Sequence, residues 1–238
     1  GPRCRARNSM TTPPVITIDG PSGAGKGTAS QLVASRLGWH FLDSGAIYRA
    51  LALAALQQHI DENDTESLVQ AASGLDLRFE VTNPTQSPQV FLGEAEVSQA
   101  IRHEDTGTMA SKISKYQDVR QALLSRQQAF CQAPGLVADG RDMGTAVFPD
   151  APVKVFLTAS QEERDQRRYK QLREQGENVS LAQVLTELAE RDRRDTNRTV
   201  NPLRPADDAV VIDTTSLSID DVVAAILGEA ETKLGIAI

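Results

Sequence analysis

The feature that most constrains the fold of this sequence is a glycine-rich segment that directly follows a short apolar run. The run is the predicted strand Val15 to Asp19. The segment is Gly20, Pro21, Ser22, Gly23, Ala24, Gly25, Lys26, Gly27 and Thr28. In a Gly-x4-Gly-Lys spacing, glycines let backbone N–H groups surround a phosphate, and the next helix directs its positive end at the same anion. With a helix predicted over 28–37, the segment predicts a phosphate-binding loop whose Lys26 reaches the β- and γ-phosphates of a nucleotide.

The loop departs from its usual pattern at the position after the lysine. That residue is Gly27 instead of a hydroxyl residue, and Thr28 comes one place later. The usual direct Mg²⁺ ligand is therefore missing. Asp139 closes the apolar run 136–138, and a carboxylate at the C-terminal end of a parallel strand lies where open α/β sheets bind ligands. We expect Asp139 to hold Mg²⁺ through water, although Asp139-Gly140 is also a common turn pair.

The rest of the chain predicts a single α/β domain. Apolar runs at 136–139, 153–158 and 209–213 are strand candidates that alternate with amphipathic stretches, as in a parallel sheet covered on both faces. Residues 61–112 interrupt this alternation with short strand-like pieces and are interpreted as an inserted subdomain. Residues 1–9 are interpreted as an expression remnant ahead of Met10, and residues 10–238 as the domain.

Composition excludes several classes of function. The chain of 238 residues has a net charge of −7 and two cysteines, Cys4 and Cys131. Binding to duplex DNA or to an anionic membrane would need a dominant basic surface, so we expect neither a nucleic acid nor a membrane as partner. No apolar run reaches the length of a membrane span, and no Cys/His spacing matches a metal site. We expect a cytoplasmic monomer.

A helix predicted from about Leu181 has an inward face that changes from apolar to charged. The face carries Leu181, Val184, Leu185 and Leu188, and then Arg191, Arg194, Asp195 and Arg198. Removing unpaired guanidinium groups from water is costly, so they need an anionic or hydrogen-bonding partner. A bound nucleotide would supply one. The alternative is that the last turns leave the core and lie in water.

Residues 160–177 predict a helix that has little apolar surface to bury. Only Tyr169 and Leu172 are apolar between residues 161 and 175. Arg164, Arg167 and Arg168 lie on one side at helical spacing. A mobile helix with these arginines suits a lid that closes over transferring phosphate and excludes water. The alternative is a solvated helix held by Glu–Arg pairs.

Four motifs together resemble the bacterial cytidylate kinases, which are nucleoside monophosphate kinases with a phosphate-binding loop (P-loop). The motifs are Gly20 to Thr28, Leu42 to Arg49, Asp139 to Thr145, and Arg191 to Asp195. The resemblance runs from about Pro14 to the C-terminal helix. Many nucleotide kinases share the first motif, whereas the second and third are much more specific.

The resemblance implies a P-loop NTPase fold of the α/β class, with a five-stranded parallel sheet flanked by helices. It also implies an inserted subdomain at about 61–112 that binds the nucleoside monophosphate, and a short helical lid at about 160–177. Gly27 is normal for this group. The implied activity is transfer of the γ-phosphoryl group of ATP to CMP and dCMP, with Mg²⁺ as cofactor.

The resemblance also implies roles for individual residues. Around the acceptor phosphate it places Ser44, Arg49 and Arg141; around the cytosine edge it places Ser111, Arg120, Asp142 and Arg198; around the ribose it places Arg191 and Asp195. The implied catalytic residues are Lys26, Arg141, Arg164 and Arg168.

Two other kinds of function stay open at this point. One is a kinase on the same scaffold with another small acceptor, such as AMP, GMP, UMP or shikimate, because side chains alone do not rank the bases. The other is a GTP-binding regulatory module, which should carry Asn-Lys-x-Asp for guanine. No Asn-Lys pair occurs in the sequence, which argues against the second.

Overall fold

The structure is a computed structural model that describes residues 12–83 and 86–238. The expected expression remnant at 1–9 lies outside the described residues. The strands are β1 (Val15–Asp19), β2 (His40–Asp43), β3 (Leu77–Glu80), β4 (Gln89–Leu92), β5 (Ala95–Glu96), β6 (Leu136–Gly140), β7 (Val153–Thr158) and β8 (Val210–Asp213). The α-helices are α1 (Lys26–Leu37), α2 (Ser44–Gln57), α3 (Thr65–Ser73), α4 (Glu104–Ile113), α5 (Gln117–Gln128), α6 (Gln161–Glu174), α7 (Leu181–Asn197) and α8 (Ile219–Leu234).

A five-stranded parallel sheet forms the centre of the molecule and confirms the predicted fold class. Its strands lie in the order β2-β6-β1-β7-β8. Every residue of β1 is buried, because helices cover both faces of the sheet. On one face, Ile16 and Ile18 pack with Val33 of α1 and Ile226 of α8. On the other face, the core is built mainly from α2, with further residues from α3, α4 and α5.

The order of the strands determines where the functional segments meet. β1 and β6 are parallel neighbours, with Asp19 opposite Gly140. β2 pairs with the other side of β6, so that Asp43 lies opposite Asp139. The carboxyl ends of the three strands therefore meet at one edge of the sheet. The phosphate-binding loop, the segment after Asp139 and the start of α2 all begin at that edge.

The segment 61–112 contains a second, smaller sheet. β3, β4 and β5 form three antiparallel strands, and α3 and α4 flank them in sequence. Val90, Val97 and Ile101 of this segment pack against Ala46 of α2. The strand-like pieces are thus present, whereas the pattern alone did not predict α3 or α4. The role of the segment as a substrate-binding insert stays a prediction.

The charged face of α7 points inward as predicted, with one exception on its apolar part. Val184 and Leu188 are buried, but Leu185 is 41% exposed, so the prediction that it faces the core is wrong. Further along, Arg191, Asp195 and Arg198 are all buried. The alternative that the last turns lie in water is therefore excluded for these three side chains.

The helix α6 forms at the predicted lid position and is held by few apolar contacts. Leu172 is fully buried, whereas most of the other side chains of α6 are partly or fully exposed. Ser160 caps its N-terminus by accepting a hydrogen bond from the N–H of Glu163. None of the helices in the described part of the chain is long and apolar enough to cross a membrane.

Candidate active site

The phosphate-binding loop runs from the end of β1 into the first turn of α1, and geometry favours glycine at several of its positions, among them Gly20 and Gly25. A Cβ at Gly20 would lie 2.2 Å from the carbonyl oxygen of Leu157, closer than such atoms can approach. Gly25 caps α1 with a φ of 87°, a left-handed conformation that glycine adopts without strain. The first N–H groups of α1 have no partner within the helix. Gly20 to Thr28 thus form one continuous turn whose amides suit a phosphate.

Lys26 and Asp139 form an ion pair beside this turn. Lys26 Nζ lies 3.6 Å from Asp139 Oδ1, and their side chains are 16% and 6% exposed. Burial lowers the pKa of Lys26 although Asp139 opposes the shift. Burial likewise raises the pKa of Asp139 to about 6, against the effect of Lys26. Both charges are poorly solvated, so phosphate oxygens near Lys26 and a cation near Asp139 would stabilise them.

Asp139 fits a magnesium ion that arrives with a nucleotide. Magnesium takes oxygen ligands and usually keeps several waters, with one or two carboxylates and substrate phosphates completing its shell. A side chain at position 27 would lie beside the carboxylate, since a Cβ there would be 3.8 Å from Asp139 Oδ2. Because this residue is glycine, it adds no side-chain oxygen to the shell of the metal. Within residues 12–83 and 86–238, no group of three or more His, Cys, Asp or Glu could hold a metal by itself. The side chains present therefore fit magnesium only together with phosphates and water.

A cavity of about 420 Å³, counted with its open mouth, lies beside the loop at the carboxyl edge of the sheet. The nine residues that were predicted to bind the acceptor all line it: Ser44, Arg49, Ser111, Arg120, Arg141, Asp142, Arg191, Asp195 and Arg198. They come from α2, α4, α5, α7 and the segment after β6. The structure thus brings the whole predicted set together, while the division of these residues between base, sugar and phosphate stays a prediction.

The cavity has an excess of positive charge. Five arginines and two aspartates line it. Arg120 pairs with Asp142, and Asp195 Oδ2 lies 2.5 Å from Arg141 Nε. Asp195 also lies 3.6 Å from Arg198 Nη1 through its Oδ1. The two carboxylates are thus already occupied, and the remaining positive charge needs an anion from outside the protein.

Arg191 and Arg49 are the arginines with the greatest need of an anion. Neither forms an ion pair within the described parts of the chain, and the Nε of Arg191 is buried without a hydrogen-bond partner. Burial, together with the charges of Arg141 and Arg49, lowers the pKa of Arg191 well below its usual value. Burial lowers the pKa of Arg49 as well. In contrast, Arg141, Arg191 and Arg198 hold the pKa of Asp195 below its usual value, although burial alone would raise it.

Arg141 joins the cavity to the phosphate-binding loop. Its Nη2 donates a hydrogen bond of 2.8 Å to Ser22 Oγ in the loop, while its Nε faces Asp195 in the cavity. A phosphate in the loop and an anion in the cavity would therefore lie on either side of one guanidinium group. This arrangement suits transfer of a phosphoryl group between two bound anions.

Two arginines of α6 form hydrogen bonds with the phosphate-binding loop, close to Arg141. Arg164 Nη1 donates to the carbonyl oxygen of Ser22 at 3.2 Å, and its Nη2 donates to Asp192 at 2.7 Å. Arg167 Nη1 donates to the carbonyl oxygen of Gly23 at 3.1 Å. One Glu–Arg pair within the helix exists, between Arg167 and Glu163. The contacts with the loop show that α6 is not simply a solvated helix.

Comparison with known proteins agrees with this geometry. Residues 16–232 match the family model described as cytidylate kinase. The cytidylate kinase of Aeromonas salmonicida (strain A449) is 57% identical over 222 residues, which cover 93% of this chain and 96% of that protein. The cytidylate kinase of Methylococcus capsulatus is 55% identical over 221 residues, or 93% of this chain and 98% of that protein. The chain belongs to the cytidylate kinase family.

A more distant similarity exists to a solved structure of a gluconokinase from Sinorhizobium meliloti. It covers 94% of this chain and 96% of that chain, with 16% identity and a TM-score of 0.45. Values this low add nothing to the assignment, which rests on the cytidylate kinase relatives.

Sequence reasoning missed two buried residues that support the site of this cytidylate kinase family member. Asp19 accepts hydrogen bonds of 2.9 Å from the N–H groups of Met143 and Gly144, and so fastens the turn that follows Arg141. Burial raises the pKa of Asp19 to about 7, although these two hydrogen bonds oppose the shift. Its position at the end of β1 is the same signal that identified Asp139.

Gln127 of α5 is the second missed residue. It is 1% exposed, and its Oε1 accepts a hydrogen bond of 2.6 Å from Ser44 Oγ. Gln127 therefore holds the side chain of Ser44, which lines the cavity, although Gln127 is not part of the lining itself. No sequence signal identifies it, because Ser44 lies 83 residues away along the chain.

The charge of the cavity gives a prediction for Arg191→Met. Without an anion, a buried and unpaired guanidinium destabilises the fold, so we expect the variant to unfold at a higher temperature in phosphate-free buffer, by the equivalent of about 1 kcal/mol. Added inorganic phosphate should then stabilise the variant less than the wild type. Differential scanning calorimetry measures both effects.

The matched control is Arg193→Met, which removes an exposed arginine from the same helix. It should change neither the stability in phosphate-free buffer nor the response to phosphate. A loss of stability in Arg191→Met without phosphate would contradict the account of the cavity.

Proposed function

We propose that this chain transfers the γ-phosphoryl group of ATP to CMP, which yields ADP and CDP, and that dCMP is accepted in the same cavity. The observation that carries the proposal is the continuous arrangement of phosphate-binding loop, Arg141 and arginine-rich cavity. Membership of the cytidylate kinase family supports the same acceptor. The alternatives of a shikimate or AMP acceptor, and of a GTP-binding module, lack such support.

On the donor side, the protein binds and orients the triphosphate. The amides of the loop surround the β-phosphate, and Lys26 donates to the β- and γ-phosphates. Magnesium bound with ATP would neutralise developing charge on the phosphate oxygens, with Asp139 as its carboxylate ligand through water. Lys26 and Arg164 are the charges that stabilise the transition state on this side, and Arg168 acts on it from the acceptor side.

On the acceptor side, Arg49 and Arg141 hold the phosphate of CMP in line with the γ-phosphorus, next to Ser44. A planar guanidinium grips a phosphate through two hydrogen bonds, which fixes its direction better than an ammonium would. No general base is needed, because the attacking phosphate oxygen is already ionised at neutral pH. The rate then depends on positioning and on charge neutralisation.

The buried pair of Arg120 and Asp142 suits the cytosine edge, together with Ser111 and Arg198. Cytosine presents a 4-amino donor, which a carboxylate can accept, whereas its ring nitrogen and 2-oxo group accept from a guanidinium. Uracil presents a 4-oxo group instead and would leave the buried carboxylate unmatched. A polar site of this kind rejects a mismatched base strongly, because the loss leaves buried groups unpaired.

We further propose that the chain acts as a monomer in the cytoplasm, where ATP and CMP are available. The support for a monomer is that the loop and all nine residues predicted to bind the acceptor come together within one chain, so the proposed reaction needs no residue from a second copy. The net charge of −7 argues against nucleic acid as a partner.

A coupled assay with ATP and a panel of CMP, dCMP, UMP, AMP and GMP tests the proposed acceptor. We expect CMP and dCMP to be phosphorylated at the highest kcat/KM. A preference for AMP, GMP or UMP would end the cytidylate assignment.

Within that assay, Lys26→Ala should lower kcat at least ~100-fold, because it removes a charge aimed at the transferred group. Lys233→Ala serves as the matched control, because it removes a lysine on the surface of α8 whose ion pair in the described part of the chain is with Glu229, 3.8 Å away. Near-wild-type turnover in Lys26→Ala would refute the role of the loop.

Asp195→Ala separates the ribose contact from the support that Asp195 gives to Arg141 and Arg198. Loss of that support should affect CMP and dCMP equally, whereas only CMP has a 2′-hydroxyl that can donate to the carboxylate. We expect kcat/KM for CMP to fall roughly tenfold more than for dCMP, as for a hydrogen bond to a charged group. Equal losses on the two substrates would place Asp195 away from the ribose.

A further inference from the structure

We propose that Glu104, at the start of α4, is a positioning residue that holds the lid arginine Arg168 close to the arginines of the acceptor cavity. The proposal concerns the closing of the site and rests on the proposed function, since the lid arginines act on a transferring phosphoryl group. Neither the motifs of the sequence nor the family resemblance assigned a role to Glu104.

The central observation is an ion pair between the segment 61–112 and the lid. Arg168 Nη2 donates to Glu104 Oε2 at 2.5 Å, and the side chains are 12% and 18% exposed. A second contact lies beside it, where His103 Nδ1 is 3.2 Å from Glu177 Oε1. Both contacts join the start of α4 to the lid segment.

Arg168 needs such a partner because of its neighbours. Its charge lowers the pKa values of both Arg49 and Arg191, so the three guanidinium groups repel one another. An arginine side chain has many rotamers and would turn towards solvent if nothing held it. Glu104 is the acidic group that pairs with Arg168 in the described structure. Without its charge, repulsion would favour an outward position of Arg168.

Both Nη atoms of Arg168 are held by neighbouring side chains, whereas its Nε has no partner among the described residues. Nη2 is bound to Glu104 and Nη1 donates to Gln171 at 2.8 Å. Nε is buried and has no hydrogen-bond partner. Glu104 and Gln171 therefore hold the guanidinium in place, and its charge stays close to Arg49 and Arg191 of the acceptor cavity.

The position of the pair also explains how the lid is held on its acceptor side. Arg164 and Arg167 tie α6 to the donor loop, through the carbonyl oxygens of Ser22 and Gly23. The pair of Arg168 with Glu104 ties α6 to the segment that flanks the acceptor cavity. Because α6 buries little apolar surface, these polar contacts decide whether the lid is closed.

Glu104→Gln tests the proposal, since it keeps the size of the side chain and removes its charge. Arg168 should then act less often on the transition state, so we expect kcat to fall roughly tenfold while the KM values for CMP and ATP change by less than about threefold. The matched control is Asp105→Asn, which removes an exposed acid from the same first helical turn. Its kcat should equal that of the wild type.

A double-mutant cycle with Arg168→Ala separates positioning from a general loss of stability. If Glu104 acts through Arg168, the variant with both changes should be no slower than Arg168→Ala alone. Trypsin provides a readout that does not depend on activity. Cleavage after the arginines of the lid in the unliganded protein should be faster in Glu104→Gln than in Asp105→Asn or the wild type.

Three results would overturn the proposal. They are equal kcat values for Glu104→Gln and Asp105→Asn, additive losses in the cycle, and a kcat for Glu104→Gln above that of the wild type. The last would make the pair a restraint on the lid. None of these three results bears on the acceptor preference of the wild type, so the proposed function would stand. A wild type that does not phosphorylate CMP would refute the proposed function, and the trypsin comparison could still be made.

Discussion

Five guanidinium groups are gathered in one largely desolvated cavity that offers them only two carboxylates. Such an arrangement is unfavourable by itself, because each buried charge loses its hydration. It becomes favourable when an anionic ligand enters and pairs with the arginines that form no ion pair in the described part of the chain, above all Arg49 and Arg191. The cavity therefore lowers the stability of the protein without ligand and favours the binding of a charged substrate, as functional sites commonly do.

The parallel sheet is what brings this cavity next to the phosphate-binding loop. β1 leads into the loop, its neighbour β6 leads into Arg141 and Asp142, and β2 leads into Ser44 and Arg49. Because parallel neighbouring strands end at the same edge of the sheet, the segments that bind the donor and the acceptor lie next to each other there. Asp19 strengthens the junction, since it is the last residue of β1 and accepts hydrogen bonds from the turn beyond β6.

Those parts of the fold and site that depend on local pattern could be predicted from the sequence. The loop follows from glycine spacing, and the inward charge of α7 follows from helical periodicity through Arg191, Asp195 and Arg198. The strand β2 is only four residues long, with one fully buried residue, so its pattern was too weak and only the family resemblance implied a fifth strand. Gln127 and Glu104 had no signal at all, because their partners Ser44 and Arg168 lie 83 and 64 residues away. Such pairings arise from tertiary packing, which periodicity does not encode.

A crystal structure with CMP and a non-hydrolysable ATP analogue bound together tests the central claim most directly. The account predicts the triphosphate in the turn from Gly20 to Thr28, and the CMP phosphate between Arg49 and Arg141, in line with the γ-phosphorus. It also predicts that Arg191, Asp195 and Arg198 face the bound CMP. A structure in which the turn holds no phosphate, or in which the cluster at 191–198 faces away from both nucleotides, would contradict it.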